Sequence, residues 1–343
     1  MSSFSEDLRT HGVIVIPILS DYKTWSDKIW VAIDEFPEYR SKGKGVQRVL
    51  GGFGALGNPS SFHHPTIRAL RVELKNGVRP LFKSYALGTG STHLEMLLDR
   101  VCIRHRDFGT VSSESWHRDI YNGPKPLPQG DEVFGGWVNL SDNTQELVAL
   151  LGTHNDPRDG VGFATQKSDG LSERLLGQAN KTFGSLTTNR QGHIQVPPGH
   201  AVIFLQQILH AVLGGKKQPS TPELRLFCGY RLTSDTAPLL EYDTTDMAVP
   251  LIPSGQVPPM YSQNHYMFFS KYAKFREWGE KTFNPQCLFG RTTKDGTVYY
   301  TPGSQSDVGK INTQRTMPSL KQMGFDFPPY SVEDNRILSP EIL

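Results

Sequence analysis

Three cysteines in 343 residues, Cys102, Cys228 and Cys287, are too few and too far apart for a disulfide framework or a CxxC zinc site. Cys102 and Cys228 lie in apolar runs, where a free thiol behaves as a small core hydrophobe. A reducing, cytoplasmic setting is therefore expected. No run approaches the roughly 20 apolar residues that a membrane helix needs. Met1 to Arg9 also lacks the charged start and apolar centre of a secretory signal, so no membrane association is expected. Charge of one sign is not in excess either. Against 34 acidic residues stand 36 basic ones, a formal +2, so bulk electrostatics neither demands nor excludes an anionic partner. The glycine-rich stretch from Lys42 to Pro59 lacks the GxxxxGK[ST] order that cradles phosphates, and it is read as a loop near the mouth of a site.

What is present is a change of periodicity along one chain long enough to bury a full core. Gly12 to Pro17 is a β-branched run closed by proline, a strand. From Asp21, Trp25, Ile29, Ala32, Ile33 and Phe36 form a helical stripe that Pro37 ends. A second helix starts at Phe62 to Pro65, repeats through Ile67, Leu70, Leu74 and Val78, and is expected to stop at Pro80. From Leu97 to Leu232 the pattern is strand-like, with strands expected at 98–104, 115–121, 132–140, 147–151, 193–196, 201–205 and 224–232. Strands without intervening amphipathic helices predict a mainly β fold with flanking helices, whose core is a double-stranded β-helix of the jelly-roll, cupin-like kind.

The organisation expected is one decorated domain. Residues 1–96 supply a strand and helices that pack on the core, residues 97–235 form the core with a polar insertion near 156–189, and residues 236–343 are a Pro-rich extension. That extension contains one predicted helix, 264–280, with Lys271, Lys274 and Arg276 giving it basic character. A solvated face is the first reading of those charges, and nucleic-acid contact the second.

Chemistry concentrates at Ser115-Trp116-His117-Arg118-Asp119-Ile120-Tyr121. On a strand, residues two apart share a face, so an imidazole and a carboxylate would stand side by side. Two other H-x-D matches occur. His105-Arg106-Asp107 is crowded by arginines that oppose a dication, and His154-Asn155-Asp156 lies in a turn-rich loop where side chains need not converge. The third ligand is expected at His210, a histidine inside the apolar run from Val202 to Leu213. Two histidines and one carboxylate with open positions suit non-haem Fe(II) and O2. In the run from Leu224 to Leu232, Arg225, Phe227, Gly229 and Arg231 share a face. A buried arginine there can hold the far carboxylate of a dicarboxylate whose other end chelates iron.

In order, Trp116-His117-Arg118-Asp119, Gly136-Trp137-Val138-Asn139-Leu140, Leu151-Gly152-Thr153-His154, Pro198-Gly199-His200-Ala201-Val202-Ile203-Phe204, His210 and Arg225 resemble the phytanoyl-CoA dioxygenase-like branch of the Fe(II)/2-oxoglutarate oxygenases. The resemblance implies iron held by His117, Asp119 and His210, 2-oxoglutarate clasped by Arg225, and Trp137 near the co-substrate. It makes Gly152-Thr153-His154 a turn and not a metal motif. The chain departs from the family pattern at Arg118, where glutamine is common, and at Val212, where a hydroxyl residue is common. Arg104 or Arg106 is the candidate for a second basic contact, with a surface ion pair as the other reading.

The activity implied is decarboxylation of 2-oxoglutarate to succinate coupled to hydroxylation of a small organic substrate. Asp119 fills the position that related halogenases leave to a halide, which favours hydroxylation. The alternatives are an oxygenase of the same chemistry acting on nucleic acid or protein, and a cupin-like binding protein without catalysis.

Overall fold

The computed structural model describes residues 4–36, 55–56, 59–104, 114–117, 132–155, 191–212, 221–234, 236, 290–292, 298–300, 328, 331–333, 336 and 339–343. Asp119, the stretch 156–189, the basic segment 264–280, Cys287, His105 and Asp107 lie outside the described residues, as does most of the glycine-rich stretch.

The chain opens with helix α1 (Phe4–His11), strand β1 (Val13–Pro17) and helix α2 (Tyr22–Glu35), followed by strand β2 (Ala55–Leu56) and helices α3 (Pro59–His63) and α4 (Pro65–Ala86). Eight strands then build the core: β3 (His93–Arg104), β4 (Glu114–His117), β5 (Glu132–Asn139), β6 (Gln145–Leu150), β7 (Gln191–Val196), β8 (His200–Leu205), β9 (Leu209–Val212) and β10 (Glu223–Thr233). A short hairpin of β11 (Gly290–Thr292) and β12 (Val298–Tyr300) and the strand β13 (Glu341–Ile342) follow.

The large sheet runs in the order β1-β8-β5-β10-β3-β13, with β2 also on β3, and the small sheet in the order β4-β9-β6-β7. Passing from β3 to β10, the chain crosses repeatedly between the two sheets and every pairing is antiparallel. This is a double-stranded β-helix with helices on one flank, the expected fold class.

The two-residue period of each strand decides which residues face which layer. On β10, Leu224, Leu226, Cys228, Tyr230 and Leu232 face outward and pack against Leu70, Leu74, Val78 and Phe82 of α4. Trp137, Val202 and Phe204 of the large sheet face inward and meet Leu147 and Ala149 of the small one. Cys102 and Cys228 are buried, as core packing requires.

Helix α4 does not stop at Pro80. It continues to Ala86 and buries Phe82 and Tyr85. The proline deprives the carbonyl of Asn76 of its helical donor, but Asn76 and Pro80 are both exposed, so water can satisfy that carbonyl while burial of the next turn holds the helix together. The preceding His64 is a cap. Its Nδ1 accepts from the Thr66 N–H at 3.3 Å, and its Nε2 donates to Glu35 at 3.2 Å. At the far edge, β13 pairs with β3, and Glu341 takes ion pairs from Lys75 and Arg79 of α4 at 3.4 and 3.0 Å.

Candidate metal and dicarboxylate site

The apolar run from Val202 to Leu213 is two strands, not one. Gln206 and Gln207 turn the chain out of the large sheet, with the Gln206 N–H donating to Val133 O at 3.0 Å, and β9 begins in the small sheet. The two glutamines inside an apolar run were the signal for this break. The turn brings His210 to the middle of the small sheet, between β4 and β6, where its register partners are His117 and Ala149. The backbones of His117 and His210 are therefore directly opposed, although the residues are 93 positions apart in the chain.

His210 is 8% exposed, and its ring tilts against Phe204 at 4.9 Å between centroids. Its Nδ1 lies 3.2 Å from the carbonyl of Ile208. A carbonyl only accepts, so Nδ1 is the donor, and in the neutral ring Nε2 is then the nitrogen able to ligate a metal.

Phe204 leads from His210 to the second half of the site. It belongs to the same inter-sheet cluster as Trp137, and the guanidinium carbon of Arg225 sits 3.9 Å over the Trp137 ring. Arg225 is set by two registers, opposite Asn139 on β5 and opposite Cys102 on β3. Arg104, two residues beyond Cys102 on β3, shares that phase of the strand. Burial, reinforced by the positive charge of Arg104, pushes the Arg225 guanidinium down to about 9, while Cys102, Glu223 and Glu146 act the other way. No carboxylate among the described residues forms an ion pair with it. Its Nε donates instead to Oε1 of Gln145.

The other arginine on this face of β10 is differently placed. Arg231 pairs with Glu95 at 3.0 Å, both side chains being 1% exposed, and donates to Thr233 at 3.2 Å. Its charge is neutralised within the fold, so Arg225 is the one that can meet an anion from outside.

Of the residues singled out in the sequence, the structure brings together His117 with His210 by register, and Arg225 with Trp137 by contact. Asp119 lies outside the described residues. His154 occupies a 3₁₀ turn, Thr153–Asn155, and its Nε2 donates to the carbonyl of Arg9 at 3.0 Å, so it serves to dock α1. Three polar residues were missed: Asn139, Ser141 and Gln145, all buried beside Arg225. Asn139 was the legible one, a polar residue on the same strand phase as Trp137.

No protein-family profile matches the chain, and no curated protein sequence matches it. Solved structures do. The α-ketoglutarate-dependent non-haem carbocyclase SnoK from nogalamycin biosynthesis is 15% identical with a TM-score of 0.43, covering 68% of this chain and 85% of SnoK. EctD from S. alaskensis, solved with 2-oxoglutarate and 5-hydroxyectoine, is 14% identical with a TM-score of 0.44, covering 75% of this chain and 82% of EctD. AviO1 from Streptomyces viridochromogenes Tue57 is 13% identical with a TM-score of 0.43, covering 68% of this chain and 95% of AviO1. At such values the functional reading has to stand on the geometry of this chain's own residues.

Proposed function

We propose that this chain is an Fe(II)- and 2-oxoglutarate-dependent dioxygenase that hydroxylates a small organic substrate. The observation that carries the reading is the β4–β9 register that opposes His117 to His210. Two imidazoles on facing strands, with Asp119 two residues beyond the first, make the donor set that suits Fe(II) while leaving positions open. Held there, the iron would supply the reaction with O2 and chelate the 2-oxo acid end of the co-substrate.

The chain's own residues do the rest. The Ile208 carbonyl fixes the His210 ring. Phe204 and Val202 wall the inter-sheet space and exclude water. Arg225, lying on Trp137, offers its Nη atoms to the distal carboxylate, and Arg104 adds positive potential. Because burial and Arg104 depress the Arg225 guanidinium, a carboxylate bound there relieves an existing penalty, which favours a dicarboxylate over a neutral ligand.

The test is succinate release from 2-oxoglutarate by Fe(II)-loaded protein under air, with metal content measured in parallel. Wild type should hold about one Fe(II) or Mn(II) per chain, and His117→Ala and His210→Ala should each lose at least about nine-tenths of it. A metal-loaded wild type that never turns over 2-oxoglutarate, even uncoupled, would overturn the reading.

A further inference from the structure

We propose that Gln145 is a positioning residue that holds Arg225 by its Nε edge and so keeps the Nη edge presented to the distal carboxylate of the 2-oxo acid. This rests on the 2-oxoglutarate reading of the same site and adds a residue that the ligand itself need not touch.

The argument is one of donors and acceptors. Asn139 Nδ2 donates to the carbonyls of Asn143 at 2.7 Å and Val196 at 2.8 Å, and carbonyls cannot donate in return, so the orientation of this amide is set. Its Oδ1 consequently accepts, from the Ser141 N–H at 2.9 Å and from Gln145 Nε2 at 2.7 Å. Gln145 Nε2 also faces Ser141 Oγ at 3.0 Å and Leu224 O at 3.2 Å. Turning the Gln145 amide over would set its oxygen against two acceptor oxygens, so the NH2 end stays where it is and Oε1 is left facing Arg225 Nε.

Asn139, Ser141 and Gln145 are all buried, so water does not loosen this chain of bonds. The guanidinium is thus fixed on one face by the Trp137 ring and on one edge by Gln145. The edge that remains is the pair of Nη groups, the fork that matches a carboxylate with two parallel bonds. Gln145 belongs to β6 of the small sheet and Arg225 to β10 of the large one, so this bond also ties the co-substrate anchor to the sheet that carries His210.

The test uses Gln145→Met, which keeps length and volume while removing the acceptor. Mn(II)-loaded wild type and variant are titrated by calorimetry with 2-oxoglutarate and with 2-oxobutyrate, which shares the chelating end and lacks the distal carboxylate. The variant should bind 2-oxoglutarate about ten- to a hundredfold more weakly and 2-oxobutyrate as wild type does. In turnover the KM for 2-oxoglutarate should rise by a similar factor with a much smaller change in kcat. Independently of any ligand, the Arg225 Nε–H signal, assigned with Arg225→Lys, should exchange slowly in wild type and fast in Gln145→Met.

Unchanged 2-oxoglutarate affinity, equal weakening of both acids, or an unchanged Nε–H exchange rate would each overturn the proposal. If wild type binds no 2-oxoglutarate, the co-substrate reading fails by itself, and the exchange rate alone then decides whether Gln145 holds Arg225. Should Gln145→Met not fold, Gln145→Leu provides the second variant. It also removes the acceptor facing Arg225 Nε, so 2-oxoglutarate should again bind selectively more weakly, and full affinity there would equally refute the idea.

Discussion

Replacing Arg225 with methionine should move stability and binding in opposite directions. A guanidinium lowered from its ordinary range to about 9 carries a penalty of about 5 kcal/mol for its charge at neutral pH, at about 1.4 kcal/mol per pH unit. Against this, Arg225→Met gives up the bond to Gln145, about 1.5–3 kcal/mol for a charged donor, and the contact with Trp137, about 1–2 kcal/mol. The ligand-free variant should therefore match wild type or exceed it by about 1–2 kcal/mol, a rise in Tm of no more than about 5 °C. Its affinity for 2-oxoglutarate should fall at least about a hundredfold.

The pH dependence has a definite sign. The penalty is complete below about 9 and fades as pH rises from there toward the ordinary arginine range, so any stability advantage of the variant should shrink above about pH 9. Wild-type affinity for 2-oxoglutarate should also fall above that pH, because the ligand needs the protonated arginine. Urea denaturation and calorimetric titration across pH 7–10 measure both quantities. A variant more than about 2 kcal/mol less stable than wild type, or one that retains 2-oxoglutarate binding, would refute the reasoning, since either would mean that the guanidinium serves the fold and not a ligand.

Glu95→Gln should destabilise by about 3–5 kcal/mol in urea denaturation, because it leaves Arg231 charged and buried, and Glu95→Leu combined with Arg231→Met should recover most of that loss. Burial raises the carboxyl of Glu132 above its usual 4.5, and its Oε2 is buried without a partner. An acid whose folded pKa is raised loses stability as pH climbs from about 4.5 through that raised value, so Glu132→Gln should be the more stable form at neutral pH and the difference should vanish in acid. Gly199 has φ +71° and lies where an added Cβ would come within 2.3 Å of the Leu19 carbonyl, so Gly199→Ala should cost about 2 kcal/mol or more by thermal melting.

The β-rich core was legible because period-two alternation survives in the sequence wherever the two faces of a strand meet different surroundings, as from Leu224 to Leu232, where apolar residues alternate with Arg225 and Arg231. The end of helix α4 was not. Proline at 80 reads as a stop, and the exposure that makes it tolerable there is a property of the packed molecule. Gln206 and Gln207 mark the end of a strand, but the change of sheet that follows was hidden, because an apolar segment reads the same whether it stays in one sheet or joins another. Gln145 could not be found by pattern, since a glutamine becomes informative only when its acceptor is seen against an arginine 80 positions away.

By itself, then, the sequence determined the donors and their local phase: an imidazole and a carboxylate two apart at His117 and Asp119, a histidine where apolar residues surround it, and an arginine on the inward phase of its strand. These follow from covalent order and strand geometry, which need no partner. The tertiary structure alone decided which strands are neighbours. It set His210 across from His117, left Arg225 without an internal carboxylate among the described residues while giving one to Arg231, and supplied the Gln145 acceptor. Register between distant strands is chosen by burial of both sheet faces at once, and no window along the chain contains that information.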